Sequence, residues 1–291
     1  MTRAVESEAS LTAKTVLVTG ATSGIGWEAS ISFAHLGARV IMIGRDAGKT
    51  TQKLEEVRRR SGSTTVDSLL CDFSSQAQVR RLAEEFLARY DKLHVLVNNA
   101  GTVFTNRTVT ADGIESTFAV NYLGPFLLTN LLLDVLKASA PARVIIVSSS
   151  GHYRGTMDFS DLGFDHGYQI MRAYSRSKLA AVLFTRELAK RLEGTGVTVN
   201  ALHPGAVATS IWDRAPAYTR PLVSLAKRLF MISPEAGAGT IVYLATSPEV
   251  EGKTGLYFEK NRPKFPSRLA QDDTVAQQLW DESARLVKLP A

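Results

Sequence analysis

From Thr15 onward, short runs of β-branched and other apolar residues alternate with helical segments. This alternation limits the fold more than any other feature of the chain. The runs are Thr15–Thr19, Arg39–Ile43, Val66–Cys71, His94–Val97, Arg143–Ser148, Val197–Leu202 and Gly255–Phe258. Several, such as Val16-Leu17-Val18 and Val144-Ile145-Ile146-Val147, are apolar almost throughout. A strand with one wet face alternates polar and apolar residues, whereas a strand covered by helices on both faces does not. Between the runs lie helical stretches such as Gln76–Ala88 and Leu179–Leu192. The pattern predicts βαβ units and an α/β class: one doubly wound domain of about seven parallel strands with helices on both faces. No repeat, low-complexity tract or long linker divides it. The expected organisation is an N-terminal arm at 1–13, a main domain at 14–260 and a C-terminal helical tail at 261–291.

Composition narrows the partners. Hydrophobic residues make up 45% and charged ones 21%, which excludes a disordered or fibrous chain. The net charge is +6. Its densest run, Arg58-Arg59-Arg60 beside Lys53, Glu55 and Glu56, reads as a solvated helix end. Nucleic-acid binding would need a concentrated basic stripe, so none is expected; an anionic ligand is another use for the surplus. Cys71 stands alone, so it forms no internal disulfide, which fits a reducing compartment. Residues 1–13 are polar, and the apolar stretch Phe126 to Leu136 is broken by Thr129, Asn130 and Asp134. Neither a secretory signal nor an integral membrane segment is expected, and the default location is cytoplasmic. His35, His94, His152, His166 and His203 form no ligand-spaced pair, so no metal is expected. His152, near Ser148–Ser150, is placed to line a pocket.

The first strand ends in Thr19-Gly20-Ala21-Thr22-Ser23-Gly24-Ile25-Gly26. Glycines at a strand-to-helix turn let backbone approach a ligand, and the helix start offers free N–H groups to a pyrophosphate. A tight turn without a ligand would look the same, and the spacing is not the common G-x-G-x-x-G. The second strand ends Ile43-Gly44-Arg45-Asp46. A guanidinium there would pair with a ribose 2′-phosphate, while a carboxylate would bond the 2′-hydroxyl. Arg45 argues for the phosphate. A one-residue change of register would aim Asp46 at the hydroxyl, and a solvated loop charge is the plain alternative.

Tyr174 is followed four residues later by Lys178, which on a helix shares its face. A free phenol has a pKa of about 10, too high for a base at neutrality, and a neighbouring ammonium would lower it. Such a phenol could exchange a proton with an alcohol or carbonyl oxygen. A chance helix-face pair has the same spacing. Ser148-Ser149-Ser150 end the fifth strand, where a doubly wound sheet faces its ligand crevice. A serine there could hold a substrate oxygen.

Taken together and in order, these motifs resemble the short-chain dehydrogenase/reductase family over about residues 14–260, a Rossmann-like fold. The glycine loop matches its T-G-x-x-x-G-x-G, and Asn98-Asn99-Ala100-Gly101 its N-N-A-G. Asn121 stands at its active-site asparagine, Ser149 at its serine, Tyr174 and Lys178 at its Y-x-x-x-K, and Pro204-Gly205 at its P-G segment. The resemblance implies a catalytic set of Asn121, Ser149, Tyr174 and Lys178. Tyr174 would be the general acid/base, and Lys178 would lower its pKa and hold the nicotinamide ribose. Ser149 would orient the substrate oxygen, and Asn121 would fix a water leading to a proton relay. Gly20, Ser23, Gly24, Ile25 and Gly26 would cradle the dinucleotide. Asp72 and Phe73 would meet the adenine side, and Asn98, Ala100 and Gly101 the ribose pocket. Pro204, Gly205 and Val207 would also bind the cofactor, and Thr209 would reach its carboxamide or pyrophosphate. Gly44 with Arg45 fits the family's NADP-preferring pattern, so NADP(H) is expected rather than NAD(H).

The finer resemblance is to the retinol-dehydrogenase-like branch. It rests on Asn121-Tyr122-Leu123-Gly124-Pro125-Phe126-Leu127-Leu128-Thr129, on Leu183–Gly205, on Leu279-Trp280-Asp281 and on the long interval between Ser149 and Tyr174. Membrane-bound members carry an N-terminal hydrophobic anchor that residues 1–13 do not resemble. The implied substrate is a small hydrophobic carbonyl or alcohol. Leu222, Val223, Leu225, Ala226, Leu229, Phe230 and Ile232 give residues 206–234 an apolar face. In the family that region is a substrate lid; a core-facing helix or one resting on a membrane interface has the same pattern. Two other functions fit the motifs: an NAD-linked alcohol dehydrogenase working oxidatively, and a dinucleotide-binding sensor without turnover. Self-association into a homo-oligomer is left open.

Overall fold

A computed structural model describes residues 10–205 and 232–289. The chain opens on β1 (Thr15–Thr19), α1 (Gly24–His35), β2 (Arg39–Gly44), α2 (Ala47–Ser61), β3 (Val66–Leu70), α3 (Gln76–Arg89) and β4 (Val95–Asn98). A short helix α4 (Ser116–Phe118) runs through a π turn (Ala119–Leu123) into α5 (Gly124–Leu131) and α6 (Leu133–Ala138). Then follow β5 (Ala142–Val147), α7 (Ile170–Arg191), β6 (Val197–His203), α8 (Pro234–Thr246), β7 (Tyr257–Glu259), β8 (Arg262–Pro263) and α9 (Asp273–Leu286).

The sheet order is β3-β2-β1-β4-β5-β6-β7-β8. The first seven strands pair in parallel, and β8 adds a short antiparallel edge. The single α/β domain is therefore the doubly wound one expected. The order reverses between β1 and β4, so a crevice opens outside the carboxyl ends of these strands.

Successive residues of one strand serve two cores, because strand side chains alternate faces. Leu17, Ile41, Leu96 and Val144 face the side covered by α3, α5, α7 and α9. Val16, Val18, Val40, Met42 and Val97 face the side covered by α1, α2 and α8. Both faces are dry, which is why the strands read as unbroken apolar runs.

Residues of the expected C-terminal tail share the first of these cores. Trp280 on α9 packs edge-on against Phe126 at 5.0 Å and lies 5.8 Å from Phe184 on α7. The Arg191 guanidinium covers its ring at 4.1 Å, and Ser283 bonds the buried Tyr122 hydroxyl at 2.7 Å. Among the described residues, no helix is long and apolar enough to cross a membrane. Truncating a buried indole leaves a cavity costing about 3–5 kcal/mol. Trp280→Ala should therefore lower unfolding free energy by about 3 kcal/mol in urea titration, whereas a loss under about 1 kcal/mol would mean α9 is only a peripheral tail.

Candidate active site

The glycine loop after β1 is a cradle that side chains would fill. Gly20 has φ +66°, and a Cβ there would lie 2.9 Å from Ala100 Cα. A Cβ on Gly26 would strike the Asn99 carboxamide and the Gly20 carbonyl. Thr19 and Asn99 hold this arrangement. The Thr19 hydroxyl accepts from the N–H groups of Asn99 and Ala100, both at 2.9 Å, and Asn99 Nδ2 donates to the Thr19 carbonyl at 2.8 Å. Ser23 is the N-cap of α1 in extended backbone, its hydroxyl makes no capping bond, and no acidic residue stands in the first turn. That start suits an anion. The Ile25 side chain goes into the core, so what it presents to the loop is backbone.

The tip of β2 shows where Asp46 and Arg45 stand. The Asp46 carboxylate accepts from the Lys49 N–H at 2.7 Å as the N-cap of α2. It is spent on the helix rather than aimed across the strand end. Gly44 leaves no room for a side chain, since a Cβ there would collide with Thr22 and Thr50. Arg45 is 66% exposed, 3.8 Å from the Asp72 carboxylate. Asp72 in turn accepts from the Ser74 N–H and hydroxyl, at 2.9 and 2.7 Å. Phe73 is buried against Gly124, so its ring packs on the start of α5.

Asn98 is buried and donates to Thr129 Oγ1 at 2.8 Å, with its Oδ1 unpartnered. Gly101 is the close neighbour of Lys178 and Asn121: a Cβ there would lie 3.4 Å from Lys178 Nζ and 3.5 Å from Asn121 Oδ1. The Asn121 side chain is fully engaged. It accepts from the Thr102 N–H at 2.7 Å and donates to the Thr102 carbonyl and Ser177 Oγ at 2.9 and 3.0 Å. The π turn places it there; its widened ring departs from the 3.6-residue period on which sequence reading depends. Pro204 and Gly205 follow β6, with Gly205 at φ +95°. Val207 and Thr209 lie outside the described residues, as does most of the expected lid at 206–234.

Ser149, Tyr174 and Lys178 converge. Ser149 caps a 3-10 turn, Ser150–Arg154, with its Oγ accepting from the Gly151 N–H at 3.0 Å. Gly151 faces the tyrosine: a Cβ there would lie 3.2 Å from the Tyr174 ring. Lys178 lies one turn beyond Tyr174 on α7, 4% exposed, with Nζ 5.8 Å from the phenol ring centroid. Its amine donates to the Val147 carbonyl at 2.9 Å, and Ser148 Oγ donates to the Lys178 carbonyl at 2.8 Å. Ser177 Oγ donates to the Tyr174 carbonyl at 2.7 Å, linking Asn121 to the tyrosine's helix turn.

The electrostatics differ from expectation. Burial pushes the Tyr174 phenol up, with the Ser149 hydroxyl the one influence pulling it down. Burial lowers Lys178 to about 8. The spacing foresaw the proximity but not the direction of the amine, which turns to a backbone carbonyl, nor the cost of desolvating both groups. The phenol thus stays protonated across neutral pH. Thr19, Asn99, Ser148, Ser177 and Arg176 complete the frame. Arg176 is buried, stacks on Phe164 at 3.7 Å and donates to carbonyls of Thr156, Asp161 and Leu162. Thr19 and Asn99 carried a sequence signal as flanking letters of the two glycine motifs, and Ser148 as the first of the strand-end serines; Ser177 and Arg176 carried none.

A cavity of about 930 Å³ opens elsewhere, at the opposite edge of the sheet, beside Lys14, His94, Arg143 and Val197. None of the residues above line it, and ligands of doubly wound sheets bind at the other edge.

Comparison with known proteins agrees with this geometry. Residues 14–218 match the family model described as short chain dehydrogenase. Mouse retinol dehydrogenase 14 is 44% identical over 286 residues, covering 94% of this chain and 86% of that protein. A solved structure from Mycobacterium paratuberculosis superposes with a TM-score of 0.79 at 31% identity, over 98% of this chain and 97% of that one. The Pseudomonas aeruginosa RhlG/NADP active-site complex gives a TM-score of 0.70 at 29% identity, over 86% of this chain and 95% of that one. With the glycine cradle, the Ser149–Tyr174–Lys178 cluster and these likenesses together, the chain belongs to the short-chain dehydrogenase/reductase family, as a retinol-dehydrogenase-like oxidoreductase acting on alcohols or carbonyls.

Proposed function

We propose that the protein is an NADP(H)-dependent reductase of hydrophobic aldehydes or ketones. The observation that carries the reading is the meeting of Ser149, Tyr174 and Lys178 at the carboxyl edge of the sheet. Gly20, Ser23, Gly24, Ile25 and Gly26 would hold the pyrophosphate side of the dinucleotide through backbone, and Ala100, Gly101 and Lys178 its ribose side. Pro204 and Gly205 would border the nicotinamide. When bound, the dinucleotide supplies the hydride.

The chain's own task is the proton. Ser149 Oγ is placed to donate to a carbonyl oxygen and so orient it. Tyr174, kept neutral by burial, is the proton donor that oxygen needs as negative charge develops on it. Oxidation would require the phenolate instead, so the raised phenol supports reduction. Lys178, lowered to about 8, is still largely an ammonium at neutral pH and can bond ribose hydroxyls and restore the tyrosine's proton through a relay.

For the cofactor, Arg45 is an exposed cation at the β2 tip, and the neighbouring carboxylate is committed to a helix cap. A 2′-phosphate there would gain a charge-assisted bond, and a 2′-hydroxyl would find no carboxylate from Asp46. The likeness to mouse retinol dehydrogenase 14 makes all-trans-retinal the first aldehyde to test, beside medium-chain aldehydes and aryl ketones.

Two measurements test the reading. The purified protein should consume NADPH with at least one of these carbonyls. In Tyr174→Phe, kcat should fall about 10²–10⁴-fold while NADPH affinity stays within about twofold. Near-native turnover in that variant would remove Tyr174 from the chemistry. Arg45→Ala should weaken NADPH binding about 10–100-fold and leave NADH binding unchanged; equal losses for both, or native preference for NADH, would overturn the cofactor assignment.

A further inference from the structure

His152 makes no contact with a reacting atom in the scheme above, yet it is fully buried and used at both ring nitrogens. Nδ1 lies 2.7 Å from the Ser149 carbonyl oxygen, and Nε2 lies 3.1 Å from the Ser267 backbone nitrogen. A carbonyl only accepts and an amide N–H only donates. The two partners therefore place the proton on Nδ1 and leave Nε2 bare. The His152 backbone N–H gives the same carbonyl a second bond, at 3.1 Å.

The adjacent residue repeats the tie. Tyr153 Oη donates to the Phe265 carbonyl at 2.7 Å. Two neighbouring side chains thus staple the turn after Ser149 to residues 265–267, the segment leading to α9. That turn also carries Gly151, which binds Ser149 Oγ and lies against the Tyr174 ring.

We propose that His152 is a positioning residue: as the neutral Nδ1–H tautomer it holds the Ser149 turn against Tyr174 and ties it to the C-terminal segment, and ring protonation releases that tie. This rests on the roles given to Ser149 and Tyr174 above. A protonated ring would turn Nε2 into a donor facing the Ser267 N–H, another donor.

The groups facing the ring favour the neutral form. Tyr153 from its own turn lies 4.0 Å away and Tyr257 of β7 lies 4.6 Å away, ring to ring. The Lys264 ammonium beyond β8 adds positive charge nearby, while burial holds His203 at the end of β6 toward its own neutral form. Glu259 of β7 is the neighbouring carboxylate, and Lys264 neutralises it. Burial lowers the imidazole from 6.5, the Ser149 carbonyl partly offsets this, and Lys264 lowers it further. The tie is therefore intact at neutrality and is lost as pH falls below 6.5 through the lowered value.

The test uses the full chain, 15N-labelled at histidine, with its five histidines distinguished by comparison with His152→Phe. At pH near 7.5, NMR should show His152 as the Nδ1–H tautomer, titrating below the ordinary histidine value of about 6.5. In His152→Phe, kcat should drop about tenfold and lose its acid limb, with NADPH affinity within about twofold of native. His152→Asn, whose amide can again donate to the Ser149 carbonyl, should recover most of the loss. An Nε2–H tautomer overturns the inference, as does a native kcat in His152→Phe. If that variant fails to fold, the NMR and the native pH profile decide, and a kcat flat from pH 7.5 to 5 overturns it. A native protein that turns over no carbonyl overturns the functional reading and the positioning role with it, while the tautomer still reports whether the tie exists.

Discussion

A lysine amine buried at the carboxyl edge of the sheet is the constraint around which the site is arranged. Taking an ammonium out of water costs several kcal/mol unless something bonds it. Here the Val147 carbonyl at the end of β5 does so, at 2.9 Å. That bond fixes α7 against β5, and Ser148 Oγ reinforces it by donating to the Lys178 carbonyl. With α7 held, Tyr174 one turn earlier must face the turn that follows β5, and Ser149 is the first residue of that turn. Gly101 brings backbone close to the amine, so that a Cβ there would lie in van der Waals contact with it. The lysine is lowered to about 8 as the cost of this burial, and retains most of its charge at neutrality.

The dinucleotide side follows from a different economy, that of backbone close approach. Two loops meet there: the glycine loop after β1 and the turn after β4. Thr19 and Asn99 bind the two loops to each other, so the cradle is preformed. Preorganisation of this kind lets binding proceed without ordering a loop. At the rim, Asp46 is drawn away into capping α2, which leaves Arg45 as the charge at the strand tip.

Much of this was legible before any coordinates. Strands buried on both faces cannot hide their apolar runs, and the seven expected runs coincide with β1 to β7 within a residue or two. The differences are instructive. His94 was expected to open a strand; it precedes β4, and its ring accepts the Thr15 N–H. Helix α7 begins nine residues before Leu179, because its first turns bear the polar site residues that break an apolar period. The π turn at Ala119–Leu123 obeys no helical or strand period, so nothing announced it. The glycine loop, Asn98 to Gly101, and the Tyr174–Lys178 pair were readable because backbone approach and proton transfer each demand particular residue types. Ser177, Arg176 and His152 were not readable as a frame. Serine, arginine and histidine occur for many reasons, and only the folded distances reveal what these hold. At Tyr174 burial opposes the lowering expected from Lys178, since spacing reports distance to a charge and not the loss of solvent.

The chemistry turns on a phenol that remains protonated at neutral pH beside an amine that is still largely an ammonium. Tyrosine 13Cζ NMR of the protein, with the Tyr174 resonance assigned by its absence in Tyr174→Phe, measures this directly. The account predicts that the resonance does not move until pH exceeds about 10, the ordinary phenol value. A phenol titrating at or below neutrality would contradict it, and would make Tyr174 a resting base suited to alcohol oxidation.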